Sequence, residues 1–254
     1  MASSSHQQTQ GQFILGSHFV FYLKEPAMAR IARVVLPGLP HYVTQRGKRH
    51  QQTFFVDEDY VEYRRLLAAS RKRCGTAVLA YCLMPHDVHL VLVPSHEDGL
   101  RCALAEAHRY YTRRINFRKG WRGSLWQERF HSFAMDQPHL LATARSIERN
   151  PVRAGLCRTP EQWPWSSARA HLCGEDDDLV QTGPLLDLMP DWASYLADDQ
   201  ADHLADQFQR QAQVGRPLGS EDFIKEIETR LGRVLRPRKP GPKTRDKPAR
   251  SLDE

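Results

Sequence analysis

The sequence has few cysteines, no long apolar run and fewer acidic than basic residues. Its five cysteines, Cys74, Cys82, Cys102, Cys157 and Cys173, are odd in number and contain no CxxC pair. That usage argues against a disulfide framework and against a zinc site, and it fits a reducing cytoplasm. The apolar residues 13–15 and 19–23 are separated by Gly16, Ser17 and His18 and are far too short to span a bilayer. They carry no basic n-region or cleavage site, so neither a membrane span nor a signal peptide is expected. The 30 acidic residues face 36 Lys and Arg, for a net charge of +6 and a pI near 9.2. Such a balance favours a polyanionic partner, nucleic acid first among them.

What is present reads as one main domain with appendages, since 254 residues at 41% hydrophobic can bury one good core. Residues 1–27 read as a disordered tail or a misassigned start, because Met28 opens a segment that resembles a natural protein start. The main domain is expected over 28–174, a helical region over 175–235 and a basic disordered arm over 236–254, where proline and charge preclude a core. β-rich runs predict strands at 76–84 and 88–93, joined by the Pro85-His86-Asp87 turn, and further strands are expected at 41–45 and 131–135. Three- and four-residue apolar spacing predicts helices over 57–74, with Asp57 as N-cap, and over 99–117. A third helix opens at Pro138 and is expected to stop at Asn150-Pro151. Further helices are expected over 198–213 and 220–231, the latter capped by Ser220. The order β-α-β-β-α-β-α predicts an α+β fold of the split βαβ, ferredoxin-like kind, an antiparallel sheet with helices on one face.

Two patterns carry chemistry. In YCLMPHDVHLVLVP, side chains alternate along the strand, so Asp87 and His89 share a face and could hold one divalent metal, Mg²⁺ or Mn²⁺. A strand-edge Asp and His are as readily plain surface residues. The second pattern is basic: eight Lys and Arg against two acids lie between Arg101 and Arg129. Arg109, Arg113, Arg114, Arg118, Lys119 and Arg122, with Trp121 and Trp126 among them, suit phosphate contacts and base stacking. A solvated helix face is the plainer reading. Arg46, following the first strand with Gln45 and Gly47, is a candidate guide for a DNA end, whereas Trp163 and Trp165 are expected to pack the third helix onto the sheet.

Five segments in order, ARVVLPGLPHYVTQRG, AYCLMPHDVHLVLVP, SLWQERFHSF, IERNPVRAG and WPWSSARAHLCG, resemble the REP-associated tyrosine transposases, a branch of the single-tyrosine HUH enzymes. The resemblance covers about residues 29–174. It implies a protein that recognises single-stranded DNA hairpins of palindromic repeats and cuts one strand with a tyrosine, a metal polarising the scissile phosphate. It also makes a homodimer an expectation and places the protein in the cytoplasm, at the nucleoid. Two catalytic positions depart from the family. Asp87 stands where the first metal-binding histidine is expected, and Ser146 stands where the nucleophilic tyrosine is expected. Asn150, one turn on, matches the polar residue that completes the metal site. A serine is several Å shorter than a tyrosine and its alcohol is far less acidic, so cleavage is expected to be lost. Tyr110 and Tyr111 are weak substitutes for the nucleophile, Tyr111 lying on the apolar stripe. The readings that follow are a hairpin-binding protein impaired in cleavage, an active strand transferase with a displaced nucleophile, or an RNA-binding module.

Overall fold

A computed structural model of the chain describes residues 34–198 and 204–236, all of them within the unit Ile31–Glu254. The expectations for 1–27 and for the basic arm, apart from Arg236, fall outside these residues. The elements in order are β1 His41–Arg46, α1 Asp57–Arg73, β2 Thr76–Leu83, β3 Asp87–Pro94, α2 Gly99–Lys119, β4 His131–Ala134, α3 Gln137–Glu148, α4 Asn150–Arg153, α5 Ala168–Cys173, α6 Gly183–Leu186, α7 Trp192–Ala197, α8 Leu204–Val214 and α9 Glu221–Leu231. The strands form one antiparallel sheet in the order β2-β3-β1-β4. This is the α+β sheet that the element order predicts.

Strand alternation divides the core in two. Val43, Val88, Leu90 and Leu92 face α1 and α2, where they meet Tyr63, Leu67, Leu100, Leu104, Tyr111 and Ile115. Their neighbours Tyr42, Val91 and Phe133 face the other way and pack with Ala144 and Ile147 of α3, Trp192 of α7 and Phe208 of α8. Helices therefore cover the second face as well as the first. The C-terminal segment also joins the sheet edge: Leu218 bridges Met135, and the Ser220 amide donates to Asp136. Among the described residues, no helix is long and apolar enough to cross a membrane.

Three local expectations are corrected. Asp57 is not the cap of α1; the Asp59 carboxylate accepts from the Phe55 and Val56 amides, at 2.9 and 3.3 Å. The third helix ends at Glu148 with Arg149 as its cap, where it is expected to, but Asn150-Pro151 does not end helical backbone: Pro151 sits in the first turn of α4, where a missing N–H is no loss. Cys74 and Cys102 are disulfide-bonded with Cα atoms 5.8 Å apart. Their separation of 28 residues gives no local signal, and they meet only because the end of α1 packs beside the start of α2.

Candidate functional site

The site grows from the β1–β3 register. Arg46 pairs across from Asp87 and Thr44 from His89, so Tyr42, Thr44, Arg46, Asp87 and His89 share the face turned to α3. Asp87 and His89 are thus on one face, as alternation requires. The Arg46 guanidinium lies 3.6 Å from the Asp87 carboxylate. Burial raises the pKa of that carboxyl, with Arg46, His50 and His86 opposing the rise. His89 is buried, and its Nδ1 lies 2.7 Å from the Tyr42 hydroxyl. Burial, then the positive charge of Arg46 and Arg153, pull its pKa down to about 3. The imidazole is therefore neutral at pH 7. Burial pushes the Tyr42 phenol upward, so the phenol keeps its proton beside His89.

Above this face stand the last turn of α3 and α4. Arg153 donates to the Ser146 hydroxyl at 3.1 Å and to the Asn150 side-chain oxygen Oδ1. Tyr42, Thr143, Ser146, Asn150 and Arg153 line a cavity of about 10 Å³, room for a single water. Ser146, one of the two departures from the family pattern, and Asn150 therefore meet, next to a tyrosine from a different element. Tyr42 is the site residue that sequence reasoning missed. Its period-two relation to Thr44 and Arg46 was readable, but the register that sets it beside His89 was not.

Asp87, His89 and Asn150 do not fit a divalent cation as they stand. One Asp87 oxygen is buried without a hydrogen-bond partner, which would suit a cation. Against that, Asp87 already faces Arg46, Asn150 accepts from Arg153, and a His89 nitrogen is taken by Tyr42. Two guanidinium groups supply positive charge where the ion would sit, which disfavours a further cation. Among the described residues, no three His, Cys, Asp or Glu side chains converge as metal ligands.

The substitute nucleophiles do not reach this face. Tyr111 is fully buried on the α2 side of the sheet and donates to the Thr53 carbonyl at 2.8 Å. Tyr110 is exposed on the outer side of α2 with the Arg109 guanidinium 4.9 Å over its ring. At 100° per residue, Arg109, Arg113 and Arg114 span an arc of about 140° on that outer side, together with the exposed Phe117. Arg118 falls at its edge and turns inward to a two-pronged bond with the buried Asp59, both contacts at 2.6 Å. Lys119 lies 4.0 Å over the Phe55 ring. Trp126 is a correction: it is 6% exposed and packed against His108, Tyr63 and Tyr111, so its ring is closed to a base. Arg46 is engaged with Asp87. Trp165 stacks on Tyr60 at 4.8 Å and Trp163 meets the same ring edge-on, so both brace α1 rather than the third helix alone.

No family profile matches the chain. A Haemophilus influenzae protein whose name assigns it to the REP-associated tyrosine transposases is 26% identical over 121 residues, 43% of this chain and 69% of that protein. A solved REP-associated tyrosine transposase bound to a REP hairpin is 18% identical, covering 59% of this chain and 90% of its own, with a TM-score of 0.47. A solved protein of Deinococcus radiodurans R1, named as a transposase, is 21% identical over 48% of this chain and 97% of its own, with a TM-score of 0.35. Taken with the five ordered motifs, the sequence match relates this chain to the REP-associated tyrosine transposases.

Proposed function

We propose that the protein binds single-stranded hairpin DNA of palindromic repeats, at the nucleoid, and does not cut it. The observation that carries the second half is Ser146, a buried alcohol held by Arg153 where the family resemblance expects the tyrosine. An aliphatic alcohol beside a guanidinium has no base to take its proton and too little reach for a backbone phosphate. Tyr42 does not replace it, because its hydroxyl is buried against His89 and a strand of DNA has no approach to it. Asp87, His89 and Asn150 are the residues that would hold a metal in an active relative, where the ion would polarise the scissile phosphate. Here they are bonded to one another's neighbours instead. Incubating the protein with a labelled stem–loop from the repeats beside its own gene, with Mn²⁺ or Mg²⁺, is expected to leave the strand intact on a denaturing gel while shifting it on a native gel. A shortened strand carrying a protein adduct overturns the reading. An RNA stem–loop of the same sequence that shifts more strongly moves the assignment to RNA.

The first half rests on the segregated positive charge. The double substitution Arg113→Glu/Arg114→Glu is expected to weaken hairpin binding and to flatten the plot of log affinity against log salt by about one to two. Unchanged affinity and slope remove the outer face of α2 from the interface.

A further inference from the structure

At the end of the sheet where β1 runs out, the loop after Arg46 and the C-terminal end of α2 enclose a cleft of about 320 Å³, lined by Lys48, Arg49, Gln51, Asn116, Trp121 and Arg122. Three cations and an indole line it, and no carboxylate is among its described lining residues. Its walls are held by the chain itself. A side chain at Gly47 would meet the Gln51 carbonyl oxygen at 2.2 Å, so the loop closes tightly there. The Lys48 backbone amide donates to the Leu125 carbonyl at 2.9 Å, and the Asn116 side-chain Nδ2 to the Gly123 carbonyl at 2.8 Å. Arg49 and His50 adopt φ of 56° and 58°, a left-handed conformation that non-glycine residues take only when their surroundings impose it.

Trp121 is 41% exposed, and Phe55 supports it edge-on at 5.9 Å. An indole anchored in this way and still open to solvent is a stacking platform, and every nucleobase offers a face to it. A duplex does not, since its bases are already stacked. The volume stands at the small end of ligand pockets, enough for one nucleotide. The place is also telling: Arg46, partner of Asp87, is two residues before Lys48, and the Gly47 amide donates to the His86 carbonyl at 2.9 Å. The loop that forms one wall of the cleft is thus tied to the turn that precedes Asp87.

We propose that this cleft seats one unpaired nucleotide of the hairpin DNA, outside its paired stem, with the base stacked on Trp121 and the flanking phosphates held by Lys48, Arg49 and Arg122. This rests on the hairpin-binding reading and adds to it the part of the DNA that is read in single-stranded form.

The test is an abasic walk. A stem–loop with a short single-stranded tail is bound to the full chain by fluorescence anisotropy while each unpaired base, in loop and tail, is removed in turn. One position is expected to weaken binding about tenfold, as loss of a stacked base does, and the others less than twofold. Trp121→Ala is expected to weaken the intact probe about tenfold and to make that same abasic change silent; Trp121→Phe retains most of the binding. Circular dichroism confirms that the variants, altered at an exposed position, remain folded. A flat walk in a wild-type protein that still binds the probe overturns the cleft alone, as does an abasic penalty that survives Trp121→Ala. Absence of any binding to hairpin probes overturns the DNA reading and this inference with it.

Discussion

Lowering the pH from 7.5 to 5 is expected to remove about 4 kcal/mol from the folding stability through His41 and His108. His41 is fully buried, with its Nε2 accepting the Leu36 amide at 3.1 Å and its Nδ1 placed 2.8 Å from the Leu39 carbonyl. Burial pulls its pKa to about 4. His108 is 9% exposed, between the Tyr63 hydroxyl at 2.9 Å and the Trp126 ring at 4.7 Å, and burial pulls its pKa to about 3. Both folded values lie below the model-peptide value of 6.5 that applies to the unfolded chain. The unfolded state thus binds more protons between these limits, and stability that is whole above about pH 6.5 declines as the pH falls toward 4 and then 3. At pH 5 each histidine contributes about 2 kcal/mol of that loss, against a total stability of about 5–15 kcal/mol for a typical domain. Burial pulls His89 the same way. Urea unfolding at pH 7.5, 6 and 5 reads the effect as a falling midpoint. The pair His108→Phe/Tyr63→Phe removes both partners of one hydrogen bond and is expected to take about 2 kcal/mol off the loss while changing little at pH 7.5. A midpoint that does not move with pH overturns the assignment of neutral buried histidines.

The elements were legible in the sequence because each reports its own burial. Thr76–Leu83 is a run of apolar, β-forming residues, Leu100, Leu104, Tyr111 and Ile115 recur at helical spacing, and the predicted bounds of the four strands, of the first three helices and of the last one fall within one or two residues of those observed. What could not be read is everything that depends on which element lies beside which. A count of Lys and Arg along α2 does not say that Arg118 points at the buried Asp59 of α1 while Arg113 points away. Nor does the spacing of aromatics say that Trp126, five residues after Trp121, crosses into the core through the bridge to Gly47 while Trp121 stays at the surface. The motif HYVTQRG named the strand but not the register, and it is the register that sets Tyr42 against His89 and Arg46 against Asp87. The same limit hid the Cys74–Cys102 bond and the cleft. Lys48, Arg49 and Arg122 are about 70 residues apart in two groups, joined only when the strand end and the helix end meet.

Replacing Glu148 by alanine is expected to destabilise the protein by about 3–5 kcal/mol, the cost of breaking a buried charged network by removing one member. Glu148 closes α3, is 0% exposed, and lies two residues before Asn150 in the segment IERNPVRAG, and its contacts are architectural. One carboxylate oxygen accepts from the Ser167 hydroxyl at 2.5 Å and lies 2.6 Å from His171 Nδ1; the other accepts from the Trp192 indole at 2.9 Å. Two elements, α5 with its cap residue Ser167 and α7, are thereby tied to α3. Ser167 in turn closes the outer edge of β2, its amide donating to the Tyr81 carbonyl at 2.9 Å and its hydroxyl accepting from the Tyr81 amide at 3.0 Å. Alanine leaves the donors of His171 and Trp192 buried without an acceptor, while the Ser167 hydroxyl still has the Tyr81 carbonyl at 3.3 Å, and it opens a cavity among them. Glutamine keeps the volume and one acceptor oxygen but turns an NH₂ toward a donor, so its loss is expected to be about half as large. Thermal unfolding is expected to fall by about 10 °C for alanine. Because the cluster lies on the α3 side of the sheet and touches neither the cleft nor the outer face of α2, the folded fraction of either variant should bind a hairpin as the parent does. A shift of under 1 kcal/mol for alanine would mean that water enters and satisfies the orphaned donors, and that the fold is held at this corner by its apolar contacts alone.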